Sequence, residues 1–127
     1  MSVSGTTHPT PSSIRFWEKD GVRVLSVSGP LTLTTLFGFQ DAWRGEASSA
    51  LVFDLSDVPY ADSAAIGSVV NAYVSRQNSG RKMVVAACDR VQKVMQVTKV
   101  ATLFPVFSTL DEAVQSLKGM GTIRGSV

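Results

Sequence analysis

The chain has 127 residues, of which 44% are hydrophobic and 17% charged, and its formal net charge is +2. These totals favour one globular domain, and the charge is too small to indicate nucleic-acid binding. No apolar run approaches the roughly 18–20 residues that span a bilayer, so we expect no membrane insertion. A single cysteine excludes an internal disulfide, and no signal peptide is evident, so we expect a cytoplasmic protein.

The first predicted element is a β-hairpin. Residues 1–13 are rich in Ser, Thr and Pro and are expected to form a disordered tail. Residues 14–18 and 22–28 then alternate in polarity, and Asp20-Gly21 between them predicts a tight turn. We expect the second strand to end at Gly29-Pro30, because proline cannot donate to a strand ladder.

A helix is predicted next, over residues 32–43, where apolar residues recur at helical spacing. Thr32 or Thr34 is expected to cap it, and Gly45 to end it. The aromatic side chains of this segment are expected in the core. The side chains predicted to share one side of the helix are Leu33, Leu36, Phe37 and Gln40.

The stretch of residues 51–73 organises the rest of the chain. Residues 51–55 form a short apolar run bounded by turn residues, which is typical of a strand covered on both faces. Asp62 predicts an N-cap, because its carboxylate can accept from the N–H groups of a first helical turn. Ser63 then begins a helix at the carboxyl end of a strand, where function usually lies in parallel sheets. The predicted apolar helix face is Ile66, Val69, Val70, Tyr73 and Val74.

Another strand–helix unit is predicted after this helix. The strand covers residues 82–88 and places Cys88 at its end as a small buried thiol. The helix covers residues 90–99, is capped by Asp89, and has Val91, Val94, Met95 and Thr98 inward. An apolar group in and just after this helix has two interpretations. It forms either a patch for a weak homodimer or a partner, or part of the core. Its members are Met95, Val97 and Val100.

The chain closes with an edge strand and a last helix. The strand covers residues 103–107 and is weakened by its proline. Thr109 and Glu112 match a capping box at the start of the helix, and Gly119 is expected to end it. Residues 119–127 are expected to form a flexible tail. The resulting order β β α β α β α β α predicts an α/β fold, with about four helices and a mostly parallel sheet of about five strands opened by a hairpin.

Common enzyme signatures are absent from the sequence. His8 lies in the tail, which leaves no histidine for a Ser–His pair, and neither zinc-binding nor glycine-rich phosphate-binding motifs occur. We therefore expect neither catalysis nor a cofactor. Asp54, Asp57 and Asp62 could hold Mg²⁺ weakly, but they suit two turns and a helix cap better. A small-molecule or nucleotide site at residues 57–63 is a lower-ranked alternative.

The charges are unevenly distributed along the chain. Five acidic residues and one basic residue occur over residues 41–62, whereas residues 76–99 contain six basic residues and one acidic residue. This distribution indicates either two solvated surfaces or complementary patches for a protein partner.

The segment LVFDLSDVPYADSAAIGSVVNAY, together with the closing STLDEAVQSL, resembles the STAS domains of bacterial anti-sigma factor antagonists and sulphate transporters. The hallmark of that family is a strand, then D-L-x-x-V-x-x-x-D-S, small residues and I/L-G, and residues 54–67 match it. The resemblance covers residues 14–117. It implies a single STAS domain over residues 14–118.

The resemblance also implies a switch. In switch members of the family, a partner anti-sigma serine kinase phosphorylates the serine after the motif aspartate, which is Ser63 here. The unmodified antagonist binds the kinase and frees a sigma factor, and phosphorylation ends the binding. The residues expected at the partner surface are Thr32, Asp62, Ser63, Ala64, Gly67, Ser68 and Asn71.

Two positions depart from the family pattern. Ala64-Ala65 stand where Ser or Thr followed by Gly is frequent, and Thr32 stands where the turn G-E-L-D of the family carries an acid. These departures motivate an alternative function. The chain would then be a phosphorylation-independent STAS interaction module, associated with a transporter or part of a scaffold.

Overall fold

A five-stranded sheet lies at the centre of the molecule. A computed structural model describes residues 13–125, with side chains to residue 118. The strands are β1 (Ser13–Lys19), β2 (Val22–Ser28), β3 (Ala50–Asp57), β4 (Lys82–Ala87) and β5 (Val106–Phe107). They are neighbours in chain order; β1 pairs antiparallel with β2, and the other pairs are parallel. The predicted α/β fold with an opening hairpin is confirmed.

Within the described residues, four α-helices cover the sheet. They are α1 (Phe37–Arg44), α2 (Ser63–Asn78), α3 (Asp89–Val97) and α4 (Leu110–Gly125), with a short 3₁₀ helix at Val100–Thr102. The buried side chains of α1, α2 and α3 belong to one apolar cluster and those of α4 to another. The first three helices therefore pack on one face of the sheet and α4 on the other. Each of these helices is too short or too polar to cross a bilayer.

Strand β3 is covered on both faces, as its apolar run predicted. Leu51, Phe53 and Leu55 enter the cluster beneath α1, α2 and α3, while Val52 enters the cluster beneath α4. All four are fully buried. This alternation follows from the two-residue period of a strand. Strand β3 therefore lies in the middle of the sheet. Because it is parallel to β2 and β4, the carboxyl ends of the three strands lie at the same edge.

The hairpin turn has the predicted geometry. Asp20 and Gly21 have φ values of 53° and 81°. Positive φ at both central residues is the requirement that an Asp-Gly pair meets in a two-residue hairpin loop. Strand β2 ends before Gly29-Pro30, as expected. The predicted tail at residues 1–13, with His8, lies outside the described residues except for Ser13, which begins β1.

The first helix differs from its prediction. It begins at Phe37, not at Thr32, because Thr35 organises a separate turn before it. The Thr35 hydroxyl accepts from the N–H of Thr32 at 2.8 Å and donates to the carbonyl of Pro30 at 2.9 Å. Such side-chain bonds offer the backbone an alternative to the helix. The expected threonine cap is wrong, since the N-cap is Leu36 and has no side-chain bond.

The predicted inner side of α1 is also wrong in part. Leu33 and Phe37 are exposed, whereas Leu36 is buried. Phe39 and Trp43 are buried, as expected of the aromatic residues of this segment, but the same expectation is wrong for Phe37. Because the helix begins at Phe37, Leu33 lies outside it and does not contribute to its buried face.

Helix α3 differs at its start. It begins at Asp89, and Cys88 is the N-cap without a side-chain bond, so the predicted Asp89 cap is wrong. Cys88 is half-buried, and its thiol donates to the carbonyl of Val58 at 3.3 Å. Thr98 is exposed instead of inward. Of the predicted patch, Met95 is core, Val97 is 74% exposed and Val100 packs partly buried against the core.

The end of the chain departs from prediction at two places. Strand β5 has two residues, because the segment before it forms the 3₁₀ helix and Pro105 contributes only its carbonyl, which accepts from Val85. The Thr109 hydroxyl accepts from the N–H of Glu112 at 3.1 Å, as the capping box predicted. Helix α4 continues to Gly125, so the end expected at Gly119 is wrong. Glycine weakens a helix without necessarily ending it.

Candidate functional site: the N-terminal tip of helix α2

The predicted cap of α2 is present. Asp62 has an extended backbone (φ −87°, ψ −179°), and its Oδ1 accepts from the N–H of Ala65 at 2.9 Å. Ser63 is the first helical residue and is exposed. A first-turn position has N–H groups that the helix itself does not use, with the positive end of the helix dipole behind them. The Ser63 hydroxyl is therefore presented to solvent in a setting that tolerates negative charge.

A second segment lies against this tip. The N–H of Leu31 donates to the carbonyl of Tyr60 at 2.9 Å, and the N–H of Asp62 donates to the carbonyl of Leu31 at 3.2 Å. The second carboxylate oxygen of Asp62, Oδ2, accepts from the N–H of Leu33 at 3.0 Å. Thr32 stands between Leu31 and Leu33. The structure therefore brings Thr32 beside Asp62 and Ser63, although 30 positions separate Thr32 from Asp62 along the chain.

Three predicted site residues form a line along α2. Ser63, Gly67 and Asn71 are spaced by four residues, which places them on one face of the helix, and all three are exposed. A Cβ atom added to Gly67 would meet nothing within 4 Å. Ala64 is half-buried beside them. The helix therefore presents an exposed stripe that begins at Ser63.

Ser68 was expected at the partner surface, and this expectation is wrong. The residue is 2% exposed, and its hydroxyl accepts from the indole N–H of Trp43 at 3.2 Å. This bond joins α1 to α2 inside the core. Ser68 is thus a packing residue and is not available to a partner.

Sequence reasoning missed an exposed apolar group at this end of the molecule. Leu33 is 61% exposed, Phe37 63% and Tyr60 49%. Leu33 and Tyr60 lie on the two segments that meet at Asp62, and Phe37 begins the helix that follows. Exposed apolar side chains at one place are typical of interaction surfaces. The sequence signal was present, but the predicted start of α1 assigned Leu33 and Phe37 to the core side.

Asp54 has a different role from the capping residue Asp62. Asp54 is buried within β3, where it accepts from the hydroxyl of Ser26 at 2.9 Å and the N–H of Ser56 at 3.2 Å. Ser26 in turn accepts from the indole N–H of Trp17 at 2.7 Å. Asp54 therefore joins β3 to β2 through Ser26, and through Ser56 it also makes the bond two residues along the chain that was expected of a turn, although it lies within the strand. Across the described residues, no three His, Cys, Asp or Glu side chains are grouped to hold a metal.

The segments that form the tip carry no basic residue. Residues 24–43 and 45–75 contain neither Lys nor Arg. A new anion at Ser63 would therefore find no cation over the first thirteen residues of its own helix or on the segment paired with it. Its charge would have to be stabilised by water and by the N–H groups of the first turn.

The sequence profile of the STAS domain matches residues 13–113. The chain belongs to the STAS-domain family. The matched region contains the hairpin, the central strands, the capped helix and the start of α4. A search of curated proteins found no match to this STAS chain.

Solved structures share the fold of this STAS domain. An anti-sigma factor antagonist from Mycobacterium paratuberculosis is 25% identical, with a TM-score of 0.79 over 87% of this chain and 97% of that one. The Bacillus cell fate determinant SpoIIAA in its phosphorylated form is 14% identical, with a TM-score of 0.60 over 83% and 99%. A sulfate transporter family protein from Wolinella succinogenes is 18% identical, with a TM-score of 0.63 over 80% and 88%.

Proposed function

We propose that this STAS domain is a cytoplasmic regulatory protein of the anti-sigma factor antagonist type, and not an enzyme. It binds a partner anti-sigma serine kinase, and phosphorylation of Ser63 ends that binding. The observation that carries the proposal is the exposed hydroxyl of Ser63 on the first turn of a capped helix. The similarity to an anti-sigma factor antagonist supports it.

The chemistry of the switch fits the tip. The Ser63 Oγ forms a bond to the γ-phosphorus of ATP, the bond from that phosphorus to the β,γ-bridging oxygen breaks, ADP leaves and the serine proton is released. The product adds about −1.5 to −2 charges at neutral pH. First-turn N–H groups can receive the phosphate oxygens, so the fold tolerates the modification.

Release of the partner follows from the surroundings of that charge. The apolar side chains of Leu33 and Tyr60 stand close to the tip, and no basic residue is supplied by its segments. A partner that covers the tip would have to bury an unpaired dianion, which is costly. The partner surface in this proposal comprises Thr32, Asp62, Ser63, Ala64, Gly67 and Asn71.

A charge placed at either end of the same helix tests the proposal. Wild-type protein, Ser63→Ala, Ser63→Asp and Ser75→Asp would serve as immobilised baits for a serine kinase, with retention quantified and phosphorylation mapped by mass spectrometry. Ser75 is exposed and lies on α2, twelve positions from Ser63 and thus roughly 18 Å along the axis. We expect Ser63→Ala and Ser75→Asp to bind like wild type, and Ser63→Asp to bind at least tenfold more weakly. Equal binding by Ser63→Ala and Ser63→Asp would remove Ser63 from the mechanism.

A second function is favoured by Thr32, which carries no carboxylate although it lies beside Asp62. The chain would then be a STAS module that binds its partner whatever the state of Ser63, and the similarity to a sulfate transporter family protein supports this alternative. Its test is the retention of the partner by protein that carries phosphoserine at position 63. Loss of the partner contradicts the alternative, whereas equal retention with and without the phosphate contradicts the switch.

A further inference from the structure

One carboxylate connects the two segments of the tip. Asp62 accepts from the N–H of Ala65 with Oδ1 at 2.9 Å and from the N–H of Leu33 with Oδ2 at 3.0 Å. The first bond caps helix α2, and the second holds the segment that precedes α1. Ser63 is the residue next to this carboxylate. Any change of charge at Ser63 therefore acts at a group that both segments share.

The segment held by Asp62 has an inner and an outer part. The inner part is fixed without Asp62 side-chain bonds, through the main-chain bonds of Leu31 and through the Thr35 hydroxyl, which donates to Pro30. In the outer part, the N–H of Leu33 donates to the Asp62 carboxylate, and the Leu33 side chain is 61% exposed. Loss of that bond would leave the N–H of Leu33 without this acceptor, while the bonds between Thr32 and Thr35 keep the inner part in place.

We infer that Asp62 transmits the charge state of Ser63 to Leu33, so that phosphorylation rearranges the exposed apolar surface in addition to adding charge. This inference rests on the proposed function and concerns the regulation of the same site. It assigns Asp62 a positioning role beyond the helix cap. It also makes Leu33 and Phe37 part of the surface that the switch controls.

The physical reason is competition between two anions on adjacent residues. Phosphate oxygens seek the first-turn N–H groups, one of which Asp62 already uses. The two like charges also repel, and residues 24–43 and 45–75 supply no Lys or Arg between them. Rotation of the Asp62 side chain away from the phosphate moves both carboxylate oxygens, because they are joined to one carbon. The N–H of Leu33 then loses its acceptor.

Hydrogen exchange of the Leu33 amide, measured by NMR on the full chain, tests the inference without a partner. Phosphoserine would be incorporated at position 63 during translation. We expect the exchange rate of the Leu33 amide to rise about fivefold relative to unmodified protein, as for a loop bond that opens locally. Phosphoserine at position 75 serves as the matched control and should leave Leu33 unchanged.

Asp62→Asn separates the two bonds of the carboxylate. Asparagine retains one acceptor oxygen, which suffices for the helix cap, but its other group is a donor and cannot accept from Leu33. We expect Asp62→Asn to raise Leu33 exchange about fivefold with Ser63 unmodified, and phosphoserine in that background to add nothing further. An unchanged Leu33 amide after phosphorylation, or an equal response in Asp62→Asn, would overturn the inference.

The two proposals fail in different experiments. A partner that leaves phosphorylated protein while the Leu33 amide is unaffected would contradict the coupling and leave the proposed function standing. A Leu33 response without any effect of Ser63 on the partner would contradict the proposed function and leave the coupling standing.

Discussion

The two ends of helix α2 are built in opposite ways. At the C-terminal end, Arg76 is 2% exposed, and its guanidinium donates to the carbonyl oxygens of Ser48 at 2.6 Å, Lys82 at 3.1 Å and Glu46 at 3.3 Å. At the N-terminal end, Ser63 is exposed, and the Asp62 carboxylate accepts from the N–H of Leu33 on a neighbouring segment. One end is closed around a buried cation, and the other is open to solvent.

This difference shows how a small domain can combine a fixed fold with a variable surface. Burial lowers the pKa of Arg76, and the neighbouring charge of Arg81 acts in the same direction, but a guanidinium stays protonated in proteins at neutral pH. Its donors hold the loops before β3 and at the start of β4. The open end can therefore gain or lose charge while the closed end maintains the position of the helix.

The largest effect is expected at the closed end. Arg76→Ala leaves three partly buried carbonyl groups without this donor, so we expect it to lower the free energy of unfolding by about 3 kcal/mol. Arg76→Lys retains the charge but has fewer donors and should lose less. Urea unfolding followed by circular dichroism measures both. A loss below about 1 kcal/mol for Arg76→Ala would mean that the closed end does not hold the fold.

A smaller effect is expected from the cap at the open end. Asp62→Ala removes the acceptor for Ala65 and should lower the free energy of unfolding by about 1–2 kcal/mol. Asp62→Asn keeps a capping oxygen and should cost less than about 0.5 kcal/mol. Urea unfolding at one pH and salt concentration compares the two variants. Equal losses would contradict the assignment of most of the cap energy to Oδ1.

A pH effect is expected from Glu46 at the closed end. Burial alone would raise the pKa of Glu46, but hydrogen bonds from Ser48 and the nearby Arg23 guanidinium outweigh it and lower the pKa below its ordinary 4.5. The carboxylate therefore contributes stability above pH 4.5, which is lost as the pH falls through the lowered value. Between pH 7 and pH 3, the wild type should lose more unfolding free energy than Glu46→Gln, by less than about 1 kcal/mol.

Unfolding titrations of both proteins at the two pH values measure that difference. Equal losses in wild type and Glu46→Gln would show that Glu46 has no share in the acid sensitivity of the closed end.

The smallest effect is expected at Ser63 itself. Ser63→Ala should change the free energy of unfolding by less than about 0.5 kcal/mol, because the hydroxyl is exposed. Ser68→Ala, on the same helix, should cost about 1 kcal/mol, because Trp43 loses its buried acceptor. Thermal unfolding of the pair provides the comparison. Equal costs would contradict the contrast between a solvent-exposed serine and a serine that packs in the core.

Features that depend on residues adjacent in the sequence were predictable. The Asp20-Gly21 turn, the burial of β3 and the start of α2 each follow from adjacent side chains or from a regular apolar period. The Asp62 cap was predictable for the same reason. Its second bond, to Leu33, was not, because sequence spacing does not reveal which distant N–H group will approach a carboxylate.

The errors also have physical causes. Helical spacing extended α1 to Thr32, but the Thr35 hydroxyl bonds and the pairing of Leu31 with Ala61 keep that segment in a turn. Ser68 was expected at the partner surface from the family resemblance, whereas it bonds Trp43 on another helix inside the core. Both errors concern contacts between segments, which a pattern within one segment cannot show.

The two edge strands of the sheet affect whether copies of the protein associate in concentrated solution. Strand β1 has seven residues along one border and displays Arg15, Glu18 and Lys19, whereas β5 has two residues and follows Pro105. Charged side chains, prolines and very short strands discourage a second chain from continuing a sheet. Edge-to-edge stacking of copies into fibres is therefore disfavoured at both edge strands.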